Sequence, residues 1–276
     1  MAGYWFCEEN TPGYSVQWRV LQLLHKETTP FQELIIADLA EWGRTLILDG
    51  AVQYTEKDEF IYHEMMAHVP LMIHPRPRQV LIVGGGDGGT LREVLKHSEV
   101  ERVDLVEIDR RVVETSKAYL PGVAAGFEDP RVKVKIADGI QYVQETEQKY
   151  DVVLVDSSDP VGPAIQLYSR AFYMDVYNVL ADDGMLVAQS ESPLYYAQIF
   201  GSIVSHLNSI FPIARVYLAA VPTYVSGPWA FTIASKICDP LHLADDRAII
   251  DGLKYYNKHI HRAAFALPQF IRERMG

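Results

Sequence analysis

Gln79-Val-Leu-Ile-Val83 runs directly into Gly84-Gly-Gly-Asp87-Gly-Gly89, and Thr90-Leu-Arg-Glu-Val-Leu-Lys96 follows with helical spacing. An apolar run, a glycine-rich turn and a helix, in that order, open a doubly wound α/β unit. Three more apolar runs follow, each ending in an acid: Val103-Asp-Leu-Val-Glu107, Val132-Lys-Val-Lys-Ile-Ala-Asp138-Gly139 and Asp151-Val-Val-Leu-Val-Asp156. Short apolar runs alternating with helical patterns predict an α/β fold: a Rossmann-like, mostly parallel sheet with helices on both faces. Ligands of such sheets sit beyond the carboxyl ends of the strands. Asp87, Glu107, Asp138 and Asp156 are therefore expected to converge on one crevice. Packing does not require four acids at four strand ends, whereas a hydroxylated, cationic ligand would use them.

Outward from this core, Met185-Leu-Val-Ala188 reads as a fifth strand after an Asp183-Gly184 turn, with late strands at Arg215 to Ala220 and Ala230 to Ser235. Upstream, Asp58 to His74 has helical spacing, with Asp58 as its cap. Phe31 to Leu39, Arg44 to Leu48 and Ala51 to Thr55 are strand-like, and Asp49-Gly50 is a two-residue hairpin signal. This predicts a small antiparallel β-domain over residues 1–60 and a catalytic domain over 61–276. The tail from Asp251 to Met275 reads as mostly helical.

The chain has 276 residues, 49% hydrophobic content and a net charge of −11. That is enough apolar material for a full core, and the negative balance argues against nucleic acid as a partner. Cys7 and Cys238 form neither a CxxC pair nor a metal set and read as free thiols. The N-terminal stretch does not resemble a signal peptide, and no apolar run approaches the ~18 residues of a membrane span. A cytoplasmic location is expected. His63-Glu-Met-Met-Ala-His68 is one residue too long for a zincin pair and His259-x-His261 is poorly spaced, so no metal is implied.

Each motif has a plainer reading. The Gly84-x-Gly86-x-x-Gly89 spacing suits a dinucleotide as well as an adenosyl ligand. Asp87 within it repels a pyrophosphate and favours an ammonium or sulfonium. Glu107 can hold ribose hydroxyls; Asp109 nearby could serve equally, but Glu107 is favoured because it directly ends the apolar run. Asp138-Gly139 alone is an ordinary turn. Asp156-Ser-Ser-Asp159-Pro160-Val-Gly162-Pro163 is richer: a carboxylate at a strand end is held firmly enough to act as a base. Tyr54, Tyr62 and Tyr224 are, taken singly, packing residues.

Together these segments resemble the spermidine synthase (polyamine aminopropyltransferase) family. The resemblance rests on Leu48-Asp-Gly50 with Gln53, Glu56-Lys-Asp-Glu-Phe-Ile-Tyr62-His63-Glu, the glycine loop, Asp156 to Pro163, Pro222-Thr-Tyr224 and His261-Arg-Ala-Ala-Phe-Ala-Leu. It spans nearly the whole chain in order. It implies an N-terminal β-domain before a methyltransferase-type domain, assembly as homodimers or homotetramers, and aminopropyl transfer from decarboxylated S-adenosylmethionine to putrescine. The donor is a co-substrate, and no permanently bound cofactor or metal is implied. By the same resemblance, Gln32, Glu107, Asp138, Gly139 and Pro163 hold the nucleoside, and Gln53 and Asp87 face the aminopropyl group. Tyr62, His63, Asp159 and Tyr224 line the diamine site, where Asp87 and Asp156 also bind the polyamine, and Asp156 accepts the proton. His63 stands where other members carry Gln, and Pro193 where some carry Gln.

The competing readings are another amine acceptor (agmatine, cadaverine or spermidine), an S-adenosylmethionine N-methyltransferase, a nicotinamide dehydrogenase and a non-catalytic polyamine binder. Asp87 opposes the methyltransferase, because intact S-adenosylmethionine carries a carboxylate that Asp87 would repel.

Overall fold

The computed structural model describes residues 4–158, 162–224, 227–243 and 250–275. Asp159 lies outside the described residues, as does the side chain of Pro163.

Residues 4–55 form one five-stranded antiparallel sheet: β1 (Tyr4–Thr11), β2 (Tyr14–Thr28), β3 (Glu33–Leu39), β4 (Gly43–Leu48) and β5 (Ala51–Thr55), paired in that order. The β4–β5 turn is the expected hairpin: Asp49 and Gly50 both have positive φ (47° and 82°), and Leu48 pairs with Ala51. That combination is the turn whose twist matches the flanking strands. β1 and β2 were not anticipated from the sequence.

Helix α1 (Glu59–Ile73) then leads into the second sheet. Asp58 takes its N-cap position but does not cap it. Its carboxylate instead accepts bonds from the Thr55 hydroxyl and from the Thr223 N–H and hydroxyl. Strands and helices then alternate: β6 (Gln79–Gly84), α2 (Gly89–Leu95), β7 (Arg102–Glu107), α3 (Arg110–Tyr119), α4 (Pro121–Ala124), β8 (Val132–Ile136), α5 (Gly139–Glu145) and β9 (Tyr150–Asp156). They continue with α6 (Arg170–Val179), β10 (Leu180–Gln189), α7 (Ala197–Ile210), β11 (Ile213–Ala219) and β12 (Trp229–Ser235). The Asp183-Gly184 pair lies within β10, where the pairing to β9 shifts register between Leu180 and Met185, and is not a turn ahead of the strand.

The seven strands lie in the order β11-β12-β10-β9-β6-β7-β8. β10 through β8 are parallel, and β12 is antiparallel to both its neighbours. Successive residues bury opposite faces, as a doubly covered sheet requires. Val80, Ile82, Val152 and Leu154 pack with Met65 and Met66 of α1 and Leu91 of α2. Leu81, Val83, Val153 and Val155 pack with Phe172 and Val176 of α6 and Leu207 of α7.

The tail is helical only in α8 (Lys258–Ala264) and α9 (Gln269–Glu273). Before them, one buried carboxylate, Glu64 of α1, accepts from the backbone N–H groups of Lys254, Tyr255 and Tyr256. Helical pairing of those donors is thereby pre-empted. No described helix is long and apolar enough to cross a membrane.

The two sheets meet where Leu34, Ile36, Leu46 and Tyr54 pack on Val112, Leu120 and Val123. Across this seam Thr29 and Gln32 donate to Asp109, and Arg44 donates to the Tyr119 carbonyl. The first sheet thus stands over the carboxyl ends of the parallel strands.

Candidate active site

A cavity of about 220 Å³ opens between the first sheet and those strand ends. Asp87, Glu107, Asp138 and Asp156 all line it, joined by Gln32, Gln53, Tyr62, His63, Gly139 and Tyr224. The parallel pairing brings the acids together: Gly84 is the register partner of Asp156, and the Gly85 N–H donates to the Asp156 carbonyl at 2.8 Å.

Two glycines of the loop make room for particular side chains. A Cβ on Gly86 would lie 2.9 Å from Glu107 Oε2, and one on Gly89 would lie 2.1 Å from Cε1 of His63. The loop spacing therefore does more than permit a turn.

Glu107 is buried, and Oε1 accepts the Asp109 N–H at 2.9 Å. Burial pushes its carboxyl up to about 7, against the pull of that N–H and with help from the neighbouring Asp109 charge. Asp109 itself is committed elsewhere: Oδ1 caps α3 through the Arg111 N–H, and Oδ2 takes Thr29 and Gln32. This separates the two neighbouring acids and leaves Glu107, the one that directly ends the apolar run, facing the cavity. Asp138 is exposed and caps α5, accepting the Ile140 N–H at 2.8 Å. It serves as a turn residue and lines the cavity as well.

Asp156 ends β9 with one oxygen occupied. Tyr62 donates to Oδ1 at 2.8 Å, and buried Oδ2 has no hydrogen-bond partner among the described residues. Burial raises its carboxyl above the ordinary range, and the Asp87 charge adds to this; His63 and the hydroxyls of Thr90 and Tyr62 oppose it. Burial, and next the Asp156 charge, keep the Tyr62 phenol protonated, so it stays a donor. A half-buried carboxylate held on one oxygen by Tyr62, with an elevated proton affinity, is equipped to take a proton from a weak acid.

Opposite it, Asp87 accepts the Gly89 N–H at 2.6 Å, and its other oxygen lies 3.4 Å from His63 Nε2. Burial raises the Asp87 carboxyl, but His63, that N–H and Arg92 outweigh it and hold Asp87 below the usual range. Tyr224 donates to the Gln53 carbonyl at 2.8 Å and its ring meets Tyr62 edge-on at 5.6 Å.

Several residues here were not anticipated. Glu8 lines the cavity from β1, accepting Trp18 Nε1 at 2.7 Å and the Val52 N–H at 3.0 Å. Glu59 and Arg92 stand behind His63. Glu59 lies four residues before His63 on one helix, a spacing that places both on one face and was readable; the Arg92 contact is tertiary and left no local trace. His68 turns away to Glu93 and His97, and His261 to Tyr256 and the Pro240 carbonyl.

An acid-lined cavity at the carboxyl ends of a Rossmann-like sheet, covered by a second, antiparallel sheet, has the architecture of a small-molecule site. The comparisons carry this further. Residues 59–242 match the spermine/spermidine synthase domain and residues 4–56 the spermidine synthase tetramerisation domain. The polyamine aminopropyltransferase of Moorella thermoacetica is 50% identical over 273 residues, covering 99% of this chain and 96% of that relative. That of Desulforudis audaxviator is 50% identical over 270 residues, covering 98% of each. A crystal structure of spermidine synthase in complex with the transition state analogue AdoDATO superposes with a TM-score of 0.96 at 41% identity, covering 99% of this chain and 94% of that one. The spermidine synthase of Thermotoga maritima gives 0.93 at 39% identity, with the same coverage. The chain belongs to the spermine/spermidine synthase family, the polyamine aminopropyltransferases. The match over 4–56 supports an oligomeric assembly.

Proposed function

We propose that the protein is a spermidine synthase: it transfers the aminopropyl group of decarboxylated S-adenosylmethionine to putrescine, giving spermidine and 5'-methylthioadenosine. The observation that carries this reading is the half-buried carboxylate of Asp156, held on one oxygen by Tyr62 and sharing one cavity with Asp87 and Glu107. In the proposed roles, Glu107 accepts the ribose hydroxyls, and Asp138 and Gly139 border the base, with Gln32 and Pro163 completing the nucleoside site. Asp87 and Gln53 hold the aminopropyl ammonium, while Tyr62, His63, Asp156, Asp159 and Tyr224, together with Asp87 where the two substrates meet, hold the diamine. The decarboxylated nucleoside is a co-substrate, and no resident cofactor or metal takes part.

The chemistry follows from charge. The diamine arrives protonated, with an amine pKa near ~10, and cannot attack until one end is neutral. Asp156 Oδ2 takes that proton. The freed lone pair then attacks the aminopropyl carbon in line, the carbon–sulfur bond breaks, and its electron pair neutralises the sulfonium. Holding both reactants in line supplies much of the rate.

We further propose residues 1–60 as an assembly unit, in a homodimer or homotetramer, and residues 61–276 as the catalytic unit, in a cytoplasmic setting; the family matches over 4–56 and 59–242 support the division. The test is incubation of decarboxylated S-adenosylmethionine with putrescine, cadaverine, agmatine or spermidine, with products identified by mass. Spermidine as the main product from the putrescine arm is expected. Preferred turnover of another amine reassigns the acceptor, and a methylated product overturns the transfer itself.

A further inference from the structure

His63 lies between two carboxylates. Its Nδ1 is 2.6 Å from Glu59 Oε2, and its Nε2 is 3.4 Å from Asp87 Oδ2. The ring is buried, seated where Gly89 lacks a side chain. Glu59 is itself buried and fixed: Arg92 Nη1 and Nη2 reach its two oxygens, each at 2.9 Å. Arg92 continues to Glu93 at 2.7 Å, and Glu93 takes His68 and Lys96. A bidentate Arg–carboxylate pair is the most rigid support a side chain can offer. Glu59 touches nothing in the cavity, so its effect runs through His63.

A carboxylate held at Nδ1 determines the ring's tautomer: Nδ1 carries hydrogen in every protonation state, and only Nε2 is free to gain or lose one. We propose that Glu59, gripped by Arg92, is a positioning residue that makes His63 a proton-for-cation exchanger. In the empty cavity the Nε2–H answers the Asp87 charge. When a ligand ammonium reaches Asp87, that Nε2 proton passes to solvent buffer. The neutral ring then presents its Nε2 lone pair to the ammonium as an acceptor. No bond other than N–H changes, and one cation replaces another beside Asp87.

The surroundings favour this exchange. Asp87 faces the ring from the glycine loop, Glu59 and the Tyr62 phenol from α1, and Asp156 from β9, with Tyr54 nearby on β5. Arg92 is the nearby cation on α2, and it is already neutralised by Glu59 and Glu93. Burial alone would lower the imidazole; the Asp87 and Glu59 carboxylates outweigh it and hold it well above the ordinary histidine range. An imidazolium and an ammonium side by side would repel, so one must lose its charge.

The exchange rests on the proposed function, because it needs a cationic ligand. The test is ¹⁵N NMR of histidine-labelled, intact protein at pH 7.5: empty, with methylthioadenosine, and with methylthioadenosine plus 1,4-diaminobutane. Both ring nitrogens of His63 are expected to be protonated in the empty protein, and Nδ1 alone once the diamine binds. Glu59→Gln is expected to lower the proton affinity of His63 about tenfold or more and to raise the diamine KM more than it lowers kcat. Glu59→Asp, which keeps the charge, should restore part of both. An Nε2–H neutral tautomer in the empty wild-type protein overturns the proposal without any variant having to fold. Diamine binding, seen by calorimetry, with His63 still doubly protonated overturns the exchange alone. Failure of either ligand to bind overturns the functional reading, while the empty-state spectrum still decides the Glu59–His63 geometry.

Discussion

Replacing Glu107 by Gln should stabilise the empty protein above neutral pH while destroying its nucleoside site. In the folded chain, burial lifts the Glu107 carboxyl from an ordinary 4.5 to about 7. A group whose proton affinity rises on folding contributes stability that is complete below the unfolded value and lost as pH climbs through the folded one. The window is therefore pH 4.5 to about 7. At ~1.4 kcal/mol per pH unit, the loss across it is about 3 kcal/mol. Gln carries no charge, and its Oε1 can keep the bond from the Asp109 N–H. Wild type and Glu107→Gln should accordingly be of similar stability at pH 4.5, and the variant should be ahead by up to about 3 kcal/mol at pH 8. Urea unfolding at one protomer concentration, repeated across that range, measures the difference. The same variant should bind methylthioadenosine at least roughly 100-fold more weakly, since hydrogen bonds to a charged acceptor are worth about 1.5–3 kcal/mol each. A stability difference that stays flat with pH would show that Glu107 is ionised throughout, and the reasoning from burial would fail.

Three other substitutions probe the cavity. Gly89→Ala places a methyl 2.1 Å from the buried His63 ring, so overpacking near the upper end of about 1–3 kcal/mol should outweigh the gain in helix propensity of about 1 kcal/mol; a lower urea midpoint and weaker diamine binding are expected. Tyr62→Phe removes the donor that lowers Asp156, so the acid limb of the rate profile should move to higher pH, with a loss in kcat of about tenfold from one hydrogen bond; an unmoved limb counts against the pair. Asp87→Asn removes the charge that excludes a carboxylate. Because charges about 4 Å apart interact by up to ~4 kcal/mol at an effective dielectric of 20, calorimetry should show the preference for the decarboxylated donor over S-adenosylmethionine shrinking by roughly 10-fold or more.

The parallel half of the fold was legible because β6 and β9 are buried on both faces and read as apolar runs bounded by turns, and β7 reads likewise apart from the buried Asp104. The acids were legible because strand ends are where such a sheet presents ligands. β1 and β2 were hidden by exposure and by irregular pairing. Val16, Trp18 and Val20 alternate as a strand should, but register shifts between Val20 and Gln22 and between Leu23 and His25 break the period. The tail was over-read as helix because Glu64, nearly two hundred residues earlier, captures its backbone donors. Asp58 failed as a cap for a similar reason, since Thr223 is remote in sequence and adjacent in space. Local pattern carries periodicity and turn chemistry; it carries no record of which distant carboxylate a segment will meet.

Asp156→Asn provides the most direct measurement. The amide preserves shape and can still accept the Tyr62 bond, but it cannot hold the diamine's proton. General-base removal typically costs about 10²–10⁴ in rate. Single-turnover assays should show a loss in that range with methylthioadenosine affinity unchanged. Aminopropyl transfer within a few-fold of wild type would contradict the account.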